Sequence, residues 1–276
     1  MEVGKSNYKV YGTYFSHKIE LENTFPLDVT KRQKVFNLVE KIKPDLVIDT
    51  HSITNVDYCE LHPEEAWLVN VEGTKNVAEA CKTFGCKMIF ISSDYVFDGK
   101  KGSYSEKDKP KPLNYYGKTK AIGEKLIQII DVNHITARTA VLYGIGGFGK
   151  QSFVSWVLEN LKAGKEIRVV IDQFNNPTLA DNLAEILFKL YEKDAFGLFH
   201  VVGKDNVSRY EFALKTAEIF GLNKDLIKPI TTPELRQAAI RPRKLELSIK
   251  KLQRFLGITP IGIEEGLKIV KDQVSK

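Results

Sequence analysis

Short apolar runs alternate with longer stretches of helical period through the first two-thirds of the chain. Residues 8–14, YKVYGTY, are rich in aromatic and β-branched side chains and read as a strand. Over 31–42 the apolar positions Val35, Phe36, Val39 and Ile42 recur at helical spacing, with Asp28 and Thr30 ahead of them as candidate caps. Pro44 and Asp45 end that helix, and 46–48 reads as a buried strand. Residues 64–84 carry a long helical pattern with Gly85 just beyond it, and 87–92, KMIFIS, give another buried strand. A helix over 114–130 turns Ala121, Leu126, Ile127 and Ile130 inward. Strands at 134–140 and 168–171, a helix at 180–191 and a strand at 197–202 complete the series.

This alternation predicts parallel βαβ units in an α/β, Rossmann-like doubly wound sheet, whose ligands bind at the carboxyl ends of the strands. From Ser208 onward the pattern is mostly helical, broken at Pro229, Pro233, Pro242 and Pro260. It reads as a smaller lobe over that edge of the sheet. The expected division is a sheet domain over 1–145 and a substrate-binding lobe over 146–276, with the strands near 168–171 and 197–202 returning to the sheet.

The chain has 276 residues, 43% of them hydrophobic, enough for a sizeable core. Lys and Arg number 41 against 35 Asp and Glu, a net charge of +6. The short basic cluster of Arg241, Arg243 and Lys244 contains Pro242 and reads as a site loop, not a nucleic-acid arm. A mild positive balance suits an anionic small molecule or cofactor. Cys59, Cys81 and Cys86 form no CxxC pair, so no disulfide framework or metal site is expected. No apolar run has the length of a membrane span, and a cytoplasmic protein is expected.

Two segments concentrate the chemistry. Ser92-Ser93-Asp94-Tyr95-Val96-Phe97-Asp98-Gly99 directly follows the 87–91 strand, where a parallel sheet presents side chains to ligand. Its plainer reading is a polar strand exit with a turn at Asp98-Gly99. Tyr116 and Lys120 stand four apart at the start of a helix and share a face. A free phenol, with a pKa of about 10, is a poor acid near neutrality. A neighbouring ammonium favours the phenolate, and the tyrosine can then protonate a carbonyl oxygen as hydride reaches the carbon. Alone, Tyr-x-x-x-Lys is weak; one loop after Ser93 in a βαβ chain, it becomes specific.

With these motifs the chain resembles the extended short-chain dehydrogenases/reductases, in particular the dTDP-4-dehydrorhamnose reductase group. The regulatory beta subunit of methionine adenosyltransferase is a relative of that group. The resemblance rests on Leu27-Asp28-Val29-Thr30, residues 54–60 (TNVDYCE), the run 92–99, Asn114 to Lys120, Arg138 to Gly144, Asp172-Gln173 through Pro177-Thr178, and Arg241-Pro242.

The resemblance implies roles. Ser93 would hydrogen-bond the substrate carbonyl, Tyr116 would donate the proton, and Lys120 would bind the nicotinamide ribose and lower the tyrosine pKa. Asn70 would contact the cofactor from its helix, although it reads equally as a solvated helix residue. Asp28 and Val29 would lie against the adenine, Asp28 being equally a helix cap. Thr54 and Val56 would line the sugar site. Gln173 and Arg241 would reach the substrate, a diphosphate favouring the planar fork of arginine. The stretch Thr13 to Lys18 has hydroxyls and a lysine but no acid until Glu20, which tilts the cofactor towards NADP, with NAD possible. The implied protein is an NADP-linked reductase of a 4-keto nucleotide-sugar, a possible homodimer. The alternative is a non-catalytic regulatory or scaffold homologue.

The chain departs from the family at its front. Relatives open with a strand, a glycine-rich turn and a helix that hold the pyrophosphate. Here 1–6 read as the end of that helix and Tyr8 is already in the second strand. We expect a chain that begins late, or a second strand that has moved over to pair with the fourth, and dinucleotide binding that is weak or absent in the chain as written. The glycine run 144–149 follows the wrong strand to replace the missing turn and reads as a loop over the site. Asp49-Thr50-His51-Ser52 stands where relatives have small alanines, so His51 would crowd the cofactor or donate to its phosphates. Val141 stands where rhamnose-pathway reductases commonly have tryptophan, and Leu245 to Ser248 replaces a Ser-x-Leu-Asp stretch.

Overall fold

The structure, a computed structural model, describes residues 8–18, 22–145 and 151–275. The expected helix end at 1–6 and most of the 144–149 glycine run lie outside the described residues.

Four parallel strands form the central sheet, in the order Gly197–His200, His134–Thr139, Lys87–Ser93 and Leu46–Asp49. The Lys87–Ser93 strand is buried almost throughout, as a parallel strand covered on both faces must be. Its side chains alternate between two cores. Met88 and Phe90 join Val35, Val39, Val77, Ala78 and Ile127 on one face. Ile89 joins Ile135, Leu183, Ile186, Leu187 and Phe199 on the other, beneath the helix Ala180–Glu192.

The strand expected at 8–14 is Gly12–Tyr14, and it pairs in parallel with Thr24–Pro26, a three-residue strand too short to show a pattern in the sequence. These two form a sheet of their own. The second strand has therefore not moved over to the fourth; among the described residues Leu46–Asp49 is the edge of the central sheet. The stretch ahead of Gly12–Tyr14 packs instead on the helix Ala180–Glu192, where the Tyr8 ring stacks on Phe188 at 5.0 Å and its hydroxyl donates to Glu192 at 2.7 Å.

The helix Arg32–Ile42 forms as expected, but its cap is neither Asp28 nor Thr30. Lys31 holds the N-cap position, and Asp28 accepts from the backbone and hydroxyl of Thr30 in a tight turn before it. The helical pattern at 64–84 is an α-turn over Pro63–Trp67, a π-turn over Leu68–Glu72 and an α-helix over Gly73–Phe84. The helix Tyr115–Ile130 is capped by Asn114, whose side-chain oxygen accepts from Gly117 N–H. Strand 168–171 is found at Ile167–Val170 but does not return to the central sheet: it pairs with Ile227–Ile230 in a separate two-stranded sheet. Alternation in a short run marks a strand and says nothing of which neighbour it will find. The strand Gly197–His200 does join the central sheet, beside His134–Thr139.

Beyond Ser208 lie the helices Arg209–Phe220, Lys250–Leu256 and Ile263–Val274. No helix among the described residues is long and apolar enough to cross a membrane.

Candidate active site

The site is built where the Lys87–Ser93 strand runs into the helix Tyr115–Ile130. Two glycines let that helix lie close. A Cβ at Gly117 would collide with the Tyr95 carbonyl oxygen, and one at Gly123 would meet the Phe90 ring at 2.8 Å. The close approach sets Tyr116 against the turn after the strand, its ring edge-on to Tyr95 at 6.2 Å. One turn further on, Lys120 places its ammonium 4.2 Å from the centre of the Phe90 ring. Lys120 is 2% exposed.

Ser93 ends its strand as the cap of the short turn Asp94–Val96. Its hydroxyl oxygen accepts from Tyr95 N–H at 3.2 Å, and its hydrogen is directed to Asp94 at 3.1 Å. Tyr116 also hydrogen-bonds Ser93. Ser93 and Tyr116 are thus hydrogen-bonded where the strand ends, and Lys120, one turn along the same helix, lies against Phe90 of that strand.

The electrostatics follow from burial. Burial lifts the Tyr116 phenol, the Ser93 hydrogen bond pulls it back, and the Asp94 charge lifts it further. A phenol held protonated is the form that donates. Burial pushes Lys120 down to about 8, while the Asp49 and Glu124 carboxylates oppose it. Burial pushes Asp94 up to about 6, opposed by hydrogen bonds from Asn175 and Ser93 and by the Arg209 charge.

A buried ionic network braces this edge from behind. Arg138 pairs with Glu124 through two bonds of 2.7 and 2.8 Å, and Ser92 donates to the same carboxylate at 2.5 Å. It ties the central strands to the helix bearing Tyr116 and Lys120. Glu124 lies one turn beyond Lys120 on that helix.

The substrate-side residues come from farther away. Arg241 is 9% exposed, and its guanidinium makes two bonds of 2.8 Å to Asp57 and one to the Ala239 carbonyl. Arg241 is thereby pinned to the helix Val56–Leu61, whose N-terminus carries Thr54 and Val56. Glu60 of that helix accepts from Tyr115 N–H at 2.8 Å, at the start of the Tyr116 helix. Gln173 is buried and donates to Thr232 at 3.0 Å.

On the opposite side, the expected cofactor residues are engaged within the protein. Asn70, fully buried in the π-turn, bonds both backbone groups of Ile53 and donates to Thr119 at 3.1 Å. It is not a solvated helix residue; it fastens the loop after Leu46–Asp49 to the two helices. His51 bonds Asp49 through Nδ1 and the Val69 carbonyl through Nε2 at 3.0 Å. Its ring lies against Gly73, and Val29 touches the same glycine, so Val29 and His51 do come together. The Thr30 hydroxyl holds the Asp28 carboxyl below its ordinary range.

Asp94, Asn175, Arg209 and Asp57 were given no role in the sequence reading. Asp94 and Asp57 lay inside quoted motifs, next to assigned residues. Asn175 also lay inside one, two residues from Gln173, and Arg209 has no local signal. They meet through the antiparallel pairing of Phe174–Asn175 with Val207–Ser208, followed by a capping box that starts the Arg209 helix.

Residues 3–275 match the RmlD substrate binding domain. The chain is 34% identical over 257 residues to a dTDP-4-dehydrorhamnose reductase of Aggregatibacter actinomycetemcomitans, covering 89% of this chain and 86% of the relative. It is 33% identical over 244 residues to methionine adenosyltransferase 2 subunit beta of Bos taurus, covering 84% of this chain and 72% of that one. The crystal structure of dTDP-4-dehydrorhamnose reductase from Bacillus anthracis in complex with NADP superposes with a TM-score of 0.86 at 31% identity, covering 92% of each chain. With a match spanning nearly its whole length, the chain belongs to the RmlD substrate binding domain family.

Proposed function

We propose that the chain is an NADP-dependent reductase of a 4-keto nucleotide-sugar, of the dTDP-4-dehydrorhamnose reductase kind. The observation that carries this reading is the hydrogen bond of Tyr116 to Ser93 at the strand's carboxyl end, with Lys120 buried one turn along the Tyr116 helix. The relative from Bacillus anthracis, similar over 92% of the chain, is an NADP complex.

The residues present fit the nicotinamide end of the cofactor. Lys120 supplies a buried cation there, and Asp49 carries a buried carboxylate oxygen with no partner among the described residues. Ribose hydroxyls both donate and accept, and would satisfy the two. Near the other end, Thr13, Ser16 and Lys18 are exposed around the end of the Gly12–Tyr14 strand and offer hydroxyls and a cation to a 2′-phosphate.

When bound, the reduced nicotinamide supplies the hydride to the sugar carbonyl carbon. Tyr116 donates its proton to the carbonyl oxygen, which leaves an alcohol and a phenolate. Ser93 orients the ketone, and Lys120 offsets the phenolate charge. Thr54 and Val56 would line the sugar, with Gln173 and Arg241 towards the diphosphate. Cys81 and Cys86, buried and outside any disulfide, accord with a cytoplasmic setting.

A second reading is favoured by one observation: Arg241 is already engaged bidentately by Asp57. A guanidinium held this way suits a structural role, as in a non-catalytic homologue. Fluorescence titration with NADPH, followed by NADPH oxidation with dTDP-4-dehydrorhamnose, separates the two. Weak binding and turnover are expected. A protein that binds no NADPH sinks the reductase reading and leaves the non-catalytic one.

A further inference from the structure

The Ser93 hydroxyl has one hydrogen, on which Asp94, Tyr116 and a bound ketone all have a claim. Its oxygen accepts from Tyr95 N–H, and its hydrogen is directed to Asp94 Oδ1. The other Asp94 oxygen accepts from Asn175 Nδ2 at 2.5 Å. Asp94 is 3% exposed, so no bulk water competes for these bonds. An ionised carboxylate accepts only, and a bond to it is stronger than one to a neutral carbonyl. While Asp94 is charged, a ketone beside Ser93 meets an oxygen whose hydrogen is turned away. A proton on Asp94 Oδ1 reverses the bond: Asp94 then donates to Ser93, and the serine hydrogen is released to the ketone. Asn175 decides where that proton sits, because its N–H already occupies Oδ2.

We infer that Asp94 is a positioning residue whose protonation sets the direction of the Ser93 hydroxyl, and so switches the site between a closed form and a carbonyl-binding form. This rests on the reductase reading above. The charged and titratable groups facing Asp94 are Arg209 from the helix Arg209–Phe220, Tyr116 from the helix Tyr115–Ile130, and Tyr95 on its own turn. Arg209 favours the charged carboxylate, but burial outweighs it and brings the carboxyl to about 6. Both phenols are raised by burial and stay neutral through that range.

The test compares wild type, Asp94→Asn and Ser93→Ala in NADPH oxidation with a 4-keto nucleotide-sugar, from about pH 5 to about pH 9. Wild-type kcat is expected to fall as pH rises past about 6. In Asp94→Asn the amide nitrogen donates to Ser93 at every pH, while its oxygen still accepts from Asn175. That variant should lose the fall and exceed wild type severalfold at about pH 8. Ser93→Ala should be slow and flat throughout. An Asp94→Asn enzyme that keeps the wild-type profile, or is as slow and flat as Ser93→Ala, overturns the proposal.

A second readout needs no turnover. Infrared difference spectra, wild type minus Asp94→Asn, follow the carboxylic-acid C=O stretch of Asp94. The band is expected in acid, should vanish as pH rises past about 6, and should shift in frequency in Ser93→Ala. A band absent in acid, or unmoved by Ser93→Ala, refutes the switch. A normal band in a protein that turns over no ketone at any pH sinks the reductase reading and leaves the hydrogen-bond switch standing.

Discussion

Two neighbouring strands deliver side chains to the same edge under different conditions. Lys87–Ser93 is flanked by Leu46–Asp49 on one side and His134–Thr139 on the other. It ends in Ser93 and Asp94, whose polar atoms all have partners. Leu46–Asp49 has a partner strand on one side among the described residues, and Asp49 keeps a buried oxygen with none. The interior strand carries a site whose polar atoms are satisfied before any ligand arrives; the edge strand carries one that a ligand would complete. Groups already partnered need only the Asp94 proton to redirect Ser93, so the chemistry belongs on the first strand and cofactor binding depends more on the second.

The largest effect should come from the first strand's partner helix. Tyr116→Phe removes the proton donor and changes no packing atom. NADPH oxidation should fall by about 10²- to 10⁴-fold, the range for a general acid, while NADPH titration is unchanged. A variant that keeps its rate would place the proton donor elsewhere.

The brace behind that strand comes next. Arg138→Met leaves the buried Glu124 carboxylate without its paired guanidinium, and unfolding free energy should fall by about 3–5 kcal/mol in a urea titration. Arg32→Met should change it by less than about 1 kcal/mol, because its pair with Glu79 is on the surface. Equal effects would mean that the interior network adds no rigidity to the site.

How much of this was legible follows the same division. Tyr116 and Lys120 were readable because a helix puts residues four apart on one face, and Ser93 because a buried run names its own carboxyl end. Asn70 and His51 were visible as residues but not as contacts. A π-turn leaves the helical pattern intact, so nothing in the sequence shows that Asn70 closes on Ile53. Asn175 and Arg209 stand about a hundred residues from Asp94 and reach it through a two-residue strand pairing. The separate sheets of Ile167–Val170 and Gly12–Tyr14 were hidden for the same reason: strand character is local, and partnership is not.

A smaller effect tests whether the satisfied site is also a strained one. The Asp94 carboxyl rises from 3.8 to about 6 on folding. Its contribution is fully present below about 3.8 and is lost as pH rises through about 6, so at higher pH the buried charge opposes folding. By linkage this amounts to about 3 kcal/mol at most, and Asp94→Asn should raise the melting temperature at about pH 8 but not at about pH 4. A variant destabilised equally at both would show that the charge is well solvated by its partners.

The smallest effect concerns the edge strand. Lys120 is drawn down to about 8 by burial, and two carboxylates resist. Glu124 is shared with Arg138 and Ser92, which use both of its oxygens. Asp49 gives one oxygen to His51 and keeps the other, and in the strand register it stands beside Phe90, on whose ring the Lys120 ammonium rests. Asp49 should therefore be the stronger support for the Lys120 charge. Asp49→Asn should move the Lys120 midpoint below about 8, read by NMR of the ¹³C-methylated amine without cofactor, and by more than Glu124→Gln does. The lysine would then lose its charge nearer neutrality, and the alkaline fall of NADPH affinity would begin at lower pH. If Glu124→Gln moves the midpoint further, the interior strand governs both halves of the site and the division between the two strands fails.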